Sequence, residues 1–230
     1  MAQNSYNQFC PIAMACEILE PRWTLLIMCE MWSGSQRFNE IRRGVPRMSP
    51  TLLSKRLKEM EARGLISRRE NTDSGLVTYK ITPVGNELGP IVRALGQWAH
   101  KNVDTEVTLE HLDARLLMWN IRRNVDRNAL PLSRKVTIQF MFPELESEQK
   151  SYWLIAKPGC DVDICWRDPG FDVDLYVNAQ LRAMTSAWLG FSKLEKEIDN
   201  DQINLIGDEA LANSIGSWLV QSSLASCQPS

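Results

Sequence analysis

The chain has 230 residues, of which 44% are hydrophobic and 23% charged, with a formal net charge of −2. That length suits one large domain or two small ones, and the composition excludes a disordered or collagen-like chain. The apolar stretch from Trp23 to Met31 is broken by Glu30 and too short to span a bilayer. The polar segment 1–9 lacks an export pattern, so the six cysteines are expected reduced in the cytoplasm, with no membrane partner.

The modest net charge hides an asymmetry. Residues 1–100 hold 13 Lys and Arg against 9 Asp and Glu, whereas residues 101–230 hold 13 against 19. The first half can attract a polyanion and the second cannot, which points to two domains with different partners.

In chain order, Pro11–Leu19 and Trp23–Trp32 read as helices, and Phe38–Arg43 as a short one ended by Gly44 and Pro46. Ser49-Pro50 then pairs a capping hydroxyl with a proline at the first helical position. The helix it opens carries Leu53, Leu57 and Met60 on one stripe and closes at Arg63-Gly64. Leu65–Arg69 and Val77–Thr82 read as strands joined by the turn-rich Asn71–Gly75. Thr82-Pro83 opens a helix to about His100, striped by Val84, Leu88, Ile91, Leu95 and Trp98, which Pro90 should kink.

That order predicts a winged helix-turn-helix, in which the capped helix enters a major groove of double-stranded DNA. Ser49, Thr51, Ser54 and Lys55 lie at its start, close enough to reach bases or adjacent phosphates. Arg56, Lys58, Arg68 and Arg69 supply charge for the backbone.

Cys10-Pro11, Arg22–Ile27, Arg37–Ile41, Ser49–Leu57, Gly64–Ile66 and Tyr79–Thr82 occur in the order that resembles the HxlR-type bacterial transcriptional regulators. The resemblance covers residues 10–100. It implies a homodimer that pairs through segments near 10–20 and 83–101 and binds a palindromic operator. It also makes Cys10 a redox candidate, since some members carry a sensing thiol at that place. One departure is Glu20-Pro21-Arg22-Trp23 where glycines are common, a change expected to leave the DNA face untouched.

In the second half, Thr108–Arg123 reads as a helix. Strands follow at Val136–Phe142, Tyr152–Ala156, Val162–Trp166 and Val173–Val177, then a helix at Ala179–Leu189, a short strand carrying Ile203 and Leu205 and ending at Gly207, and a last helix capped by Asp208. The reading is α+β overall, with an antiparallel sheet carrying helices on one side. Asp161, Asp163, Asp172 and Asp174 alternate with apolar residues and read as the wet face of that sheet rather than a cation site.

The runs Asp172–Val177, Trp188–Gly190, Ile203–Asp208 and Trp218-Leu219 resemble the end of sterol-carrier-protein-like domains. Those enclose an apolar tunnel, which implies a hydrophobic small-molecule effector held by Val162, Ile164, Trp166, Leu175, Trp188 and Trp218. The domains are accordingly set at 10–102, for DNA binding and dimerisation, and 104–226, for the effector.

No nucleophile elbow, phosphate loop, dinucleotide fingerprint or zinc spacing is present, so neither catalysis nor a cofactor or metal is expected. Two rival functions stand beside the effector-controlled regulator. One is a lipid carrier or lipid-handling protein that happens to bear a winged helix, and the other a cysteine-based redox-sensing regulator.

Overall fold

The computed structural model of the chain describes residues 5–131 and 133–227. It divides into two units, Met1–Leu95 and Gly96–Ser230, the division falling inside one helix.

In the first unit, helices α1 (Pro11–Leu19), α2 (Thr24–Trp32), α3 (Phe38–Gly44) and α4 (Pro50–Ala62) precede strands β1 (Ile66–Glu70) and β2 (Val77–Ile81). Ile27 and Met28 of α2, Ile41 of α3, and Leu53, Leu57 and Met60 of α4 are fully buried together. Each such side chain contributes about 1.5–3 kcal/mol by leaving water. β1 and β2 pair antiparallel with Arg68 opposite Tyr79, and Tyr79 also donates its amide to the Gln36 carbonyl at 2.7 Å. That bond ties the hairpin to the segment ahead of α3. The result is the predicted winged helix-turn-helix.

The helix expected from Pro83 to His100 is two helices. α5 (Pro83–Glu87) ends at Leu88, and α6 (Gly89–Asn102) starts afresh. Pro90 cannot donate to residue 86 and crowds its carbonyl, so the ladder stops and the proline sits in a new first turn, where no donor is needed.

In the second unit, α7 (Thr105–Thr108) and α8 (Ala114–Asn124) replace the single helix expected from Thr108. The Asp113 carboxylate accepts the Leu116 amide at 3.0 Å and sets the α8 start. The sheet holds β3 (Val136–Met141), β4 (Ser151–Ala156), β5 (Asp163–Cys165), β6 (Leu175–Ala179) and β7 (Ile203–Gly207), in the order β5-β4-β3-β6-β7. β3 and β6 run parallel. The sheet is therefore mixed, which corrects the antiparallel expectation: the chain crosses back through β4 and β5 before β6 enters on the far side of β3.

β6 starts two residues later than expected because Asp174 is engaged elsewhere. Its carboxylate accepts the Thr137 amide at 2.7 Å and a hydrogen bond from Arg134 at 2.5 Å. α9 (Leu181–Leu189), α10 (Leu194–Asp199), α11 (Glu209–Asn213) and α12 (Ile215–Trp218) complete the unit, the last two replacing one expected helix. One core joins Val136, Ile138 and Phe140 of β3 to Trp119 of α8, Met184 of α9 and Trp218 of α12.

Candidate nucleic-acid interface

α4 is placed by three local devices. The Ser49 hydroxyl accepts the Leu52 amide at 3.3 Å, Pro50 occupies the first turn, and Leu53, Leu57 and Met60 pin the inner face. What remains outside is a groove of about 660 Å³ lined by Pro50, Thr51, Ser54, Lys55, Lys58 and Glu59. Thr51, Lys55 and Lys58 are exposed. The Lys55 ammonium stands 3.9 Å from Glu59 with its side chain 69% exposed. So loose an ion pair is worth a few tenths of a kcal/mol at most, roughly, and exchanges readily for a phosphate.

Arg56 is placed differently from its neighbours. Its side chain is only 19% exposed, it is ion-paired with Glu59, and its Nε donates to the Arg22 carbonyl at 3.2 Å. The turn at 20–23 therefore contacts the grooved helix through a backbone carbonyl. Trp23 sits there at φ +85°, a left-handed backbone that a β-substituted residue adopts only at a cost. Arg56 satisfies a carbonyl of this turn.

On the hairpin, Arg68 and Arg69 are both exposed and, as neighbours on one strand, lie on opposite faces. Arg68 is ion-paired with Glu70 at 2.7 Å, and that carboxylate holds the guanidinium above its usual range. Further exposed cations of this unit lie outside the residues predicted from sequence, among them Arg47, two residues ahead of the cap, and Lys80, opposite Ser67 on the hairpin. Neither lies in a helical pattern that would have drawn attention to it.

Cys10 precedes α1, where the Ala13 and Ile12 amides lower its thiol below the usual cysteine range. A groove of about 400 Å³ follows along α1 and α2, lined by Pro11, Ile12, Ala15, Cys16, Leu19, Glu20 and Leu25. Ile12, Met14 and Leu26 are exposed beside it, as are Val84, Ile91, Leu95 and Trp98 along α5 and α6.

The six residues expected to line an effector pocket are distributed over the core of the second unit. Val162, Ile164, Leu175 and Trp218 belong to the buried core of the second unit, and Trp166 and Trp188 pack against it half-buried. The Trp218 indole donates to the Leu211 carbonyl at 2.9 Å. The alternating aspartates do not share a sheet face: Asp163 alone stands in a strand, while Asp161 meets Arg127 at 3.3 Å and Asp174 braces β3. No group of three or more metal-ligating side chains occurs among the described residues. No helix among them is long and apolar enough to cross a membrane.

The model of the HxlR-like helix-turn-helix family matches residues 18–107. The HTH-type transcriptional regulator YvaP of Bacillus subtilis (strain 168) is 36% identical over 100 residues, covering 43% of this chain and 93% of that protein. An HTH-type transcriptional regulator of Methanothermobacter thermautotrophicus is 32% identical over 90 residues, covering 39% of this chain and 69% of its own. The reduced form of the transcriptional regulator YodB from B. subtilis is a solved structure with 29% identity and a TM-score of 0.38, covering 42% of this chain and 97% of that one. With its capped helix, its cationic hairpin and this match, the chain belongs to the HxlR-like helix-turn-helix family of DNA-binding transcriptional regulators.

Proposed function

We propose that the protein is a homodimeric regulator that binds a palindromic operator through residues 10–102 and answers to a hydrophobic small molecule held by residues 104–226. The observation that carries the DNA half is the open groove on α4, with Thr51, Ser54, Lys55 and Lys58 along it. Ser49 sets the helix start, Thr51, Ser54 and Lys55 meet bases or adjacent phosphates, and Lys58, Arg68 and Arg69 hold the backbone. Arg56 braces the helix against the 20–23 turn and adds to the positive field without leaving its place.

Dimerisation is supported by the apolar stripe of α6. None of its residues is buried within the chain, and Trp98 is 60% exposed. A helix with one apolar face and no buried residue requires a partner for that face. A second copy supplies one by two-fold symmetry, matching the symmetry of a palindrome. The effector role is supported by the resemblance of the second half to sterol-carrier-like domains and by the half-buried Trp166 and Trp188, each packed against the core of that unit. Mobility shifts with the protein's upstream region test the DNA role across a salt series. A sequence-preferring, salt-weakened complex of two chains per site is expected; its absence there and in a selection from random duplexes overturns the reading.

The redox-sensing reading rests on Cys10, whose thiol is lowered by two amides while that of Cys29 is pushed up, first by burial of the thiol and then by Glu30. Iodoacetamide at pH 7 is then expected to label Cys10 ahead of Cys29. A Cys10→Ser protein that still loses its operator on oxidation removes this reading.

A further inference from the structure

Around the end of α9, three polar atoms of the second unit are buried without a hydrogen-bond partner among the described residues: Nε1 of Trp188, Oγ of Ser192 and Nε2 of His100. The chain brings them together by several independent contacts. Gly190 ends α9 at φ +82°, a conformation that turns the next residues back, so that the Phe191 and Ser192 amides both donate to the Ser186 carbonyl. Phe191 stacks on the His100 ring with centroids 4.7 Å apart. One helical turn before His100, Gly96 faces Leu224. The segment around Ser222 closes the corner, its amide donating to the Trp188 carbonyl at 2.9 Å, and Ala225 packs against Gly190.

Native proteins seldom leave an indole N–H or a hydroxyl buried and unpaired, because each such group forfeits its bonds to water. Here three do so in one corner. Their residues are half-buried although the three atoms themselves are shielded, so an acceptor would reach them only by entering between the surrounding side chains. An indole nitrogen can only donate, whereas a hydroxyl and a neutral imidazole can donate to the same acceptor. The surroundings are rings and methyl groups: Phe191, Leu224 and Ala225.

We propose that Trp188, Ser192 and His100 form the polar end of a binding site for a small apolar molecule bearing one uncharged oxygen acceptor, a ketone or amide carbonyl. The inference rests on the reading of the second half as an effector module, extends that module's site to His100 just ahead of residue 104, and gives the effector its chemical class. Burial pushes the His100 imidazole below its usual range, so it is neutral at pH 7, and in the tautomer that carries its hydrogen on Nε2 it donates without a charge. With no cation among the three, a carboxylate would enter without a counter-charge and leave water at a loss.

The test uses the full chain, 2-octanone and octanoate, with the Trp188 indole N–H followed by NMR and assigned through Trp188→Phe. 2-Octanone is expected to shift that resonance saturably. Ser192→Ala and His100→Phe, the latter keeping the stacked ring, should each weaken it roughly fivefold, the worth of one net hydrogen bond. An indole unmoved by 2-octanone, equal affinity in both variants, or tighter binding of octanoate overturns the site. Saturable binding that leaves operator affinity unchanged upholds the site and removes the switch from the proposed function, so the two failures are distinct.

Discussion

Lys55 and Arg56 are adjacent cations on one helix with different fates. Lys55 reaches solvent beside a loosely paired Glu59, while Arg56 is folded onto Glu59 and the Arg22 carbonyl. Lys55→Ala should weaken operator binding about fivefold at 0.15 M salt and lower the salt slope by about one, with an unchanged melting temperature. Arg56→Ala should lower the melting temperature instead, since the Arg22 carbonyl and Glu59 lose a shared donor; parallel melting and mobility-shift series separate the two roles. His100 gives a pH dependence. Its folded form resists protonation below the ordinary pKa, so below that value the unfolded chain takes up more protons than the folded one. Stability is then present above about pH 6.5 and falls as pH drops through the lowered folded value. Urea titrations at pH 7.5 and 5.5 should show this loss, and His100→Phe should reduce it.

At the scale of elements, caps and prolines decide where helices start. Ser49 bonds the Leu52 amide, Thr82 the Gly85 amide, and Asp208 the Ala210 and Leu211 amides. Ser49→Ala should cost about 1 kcal/mol of unfolding free energy and loosen the first turn of α4. Operator affinity should therefore fall although Ser49 itself need not touch a base. An Asp at 49, which keeps the cap, should restore stability in chemical denaturation while repelling phosphate. The S-P and T-P pairs were legible because cap and proline are local chemistry. The Asp113 cap is not legible in the sequence, because no proline follows it and Leu109 and Leu112 continue a helical stripe across the gap. In sequence Asp174 reads as one tooth of an alternating strand, whereas its carboxylate is committed to Thr137 and Arg134.

For the molecule as a whole, α1 and α6 each leave large apolar side chains exposed, with Ile12 at 74% and Ile91 at 62% exposure. Leu95→Asp places a charge in that stripe and should shift sedimentation from a dimer to a monomer with little change in the circular dichroism of the monomer. Operator affinity should drop by more than tenfold, because a palindrome is then met by one half-site reader at a time. A Leu95→Asp protein that still sediments as the unaltered chain does would move the pairing surface away from α6.

The sequence by itself determined the winged helix-turn-helix, because its signals are short-range: cap, proline, a three-and-four apolar stripe and a turn-rich hairpin all act within a few residues. It also marked Thr51, Ser54 and Lys55 as outward-facing, since the buried stripe of α4 leaves them nowhere else to go. Only the tertiary structure decided the parallel pairing of β3 with β6, the retreat of Arg56 onto the 20–23 turn, and the meeting of His100 with Phe191. Each joins segments more than 30 residues apart, and each depends on which donor, acceptor or ring happens to arrive opposite. Local pattern carries no record of such meetings, because it reports the face a side chain occupies and not the partner that face will find.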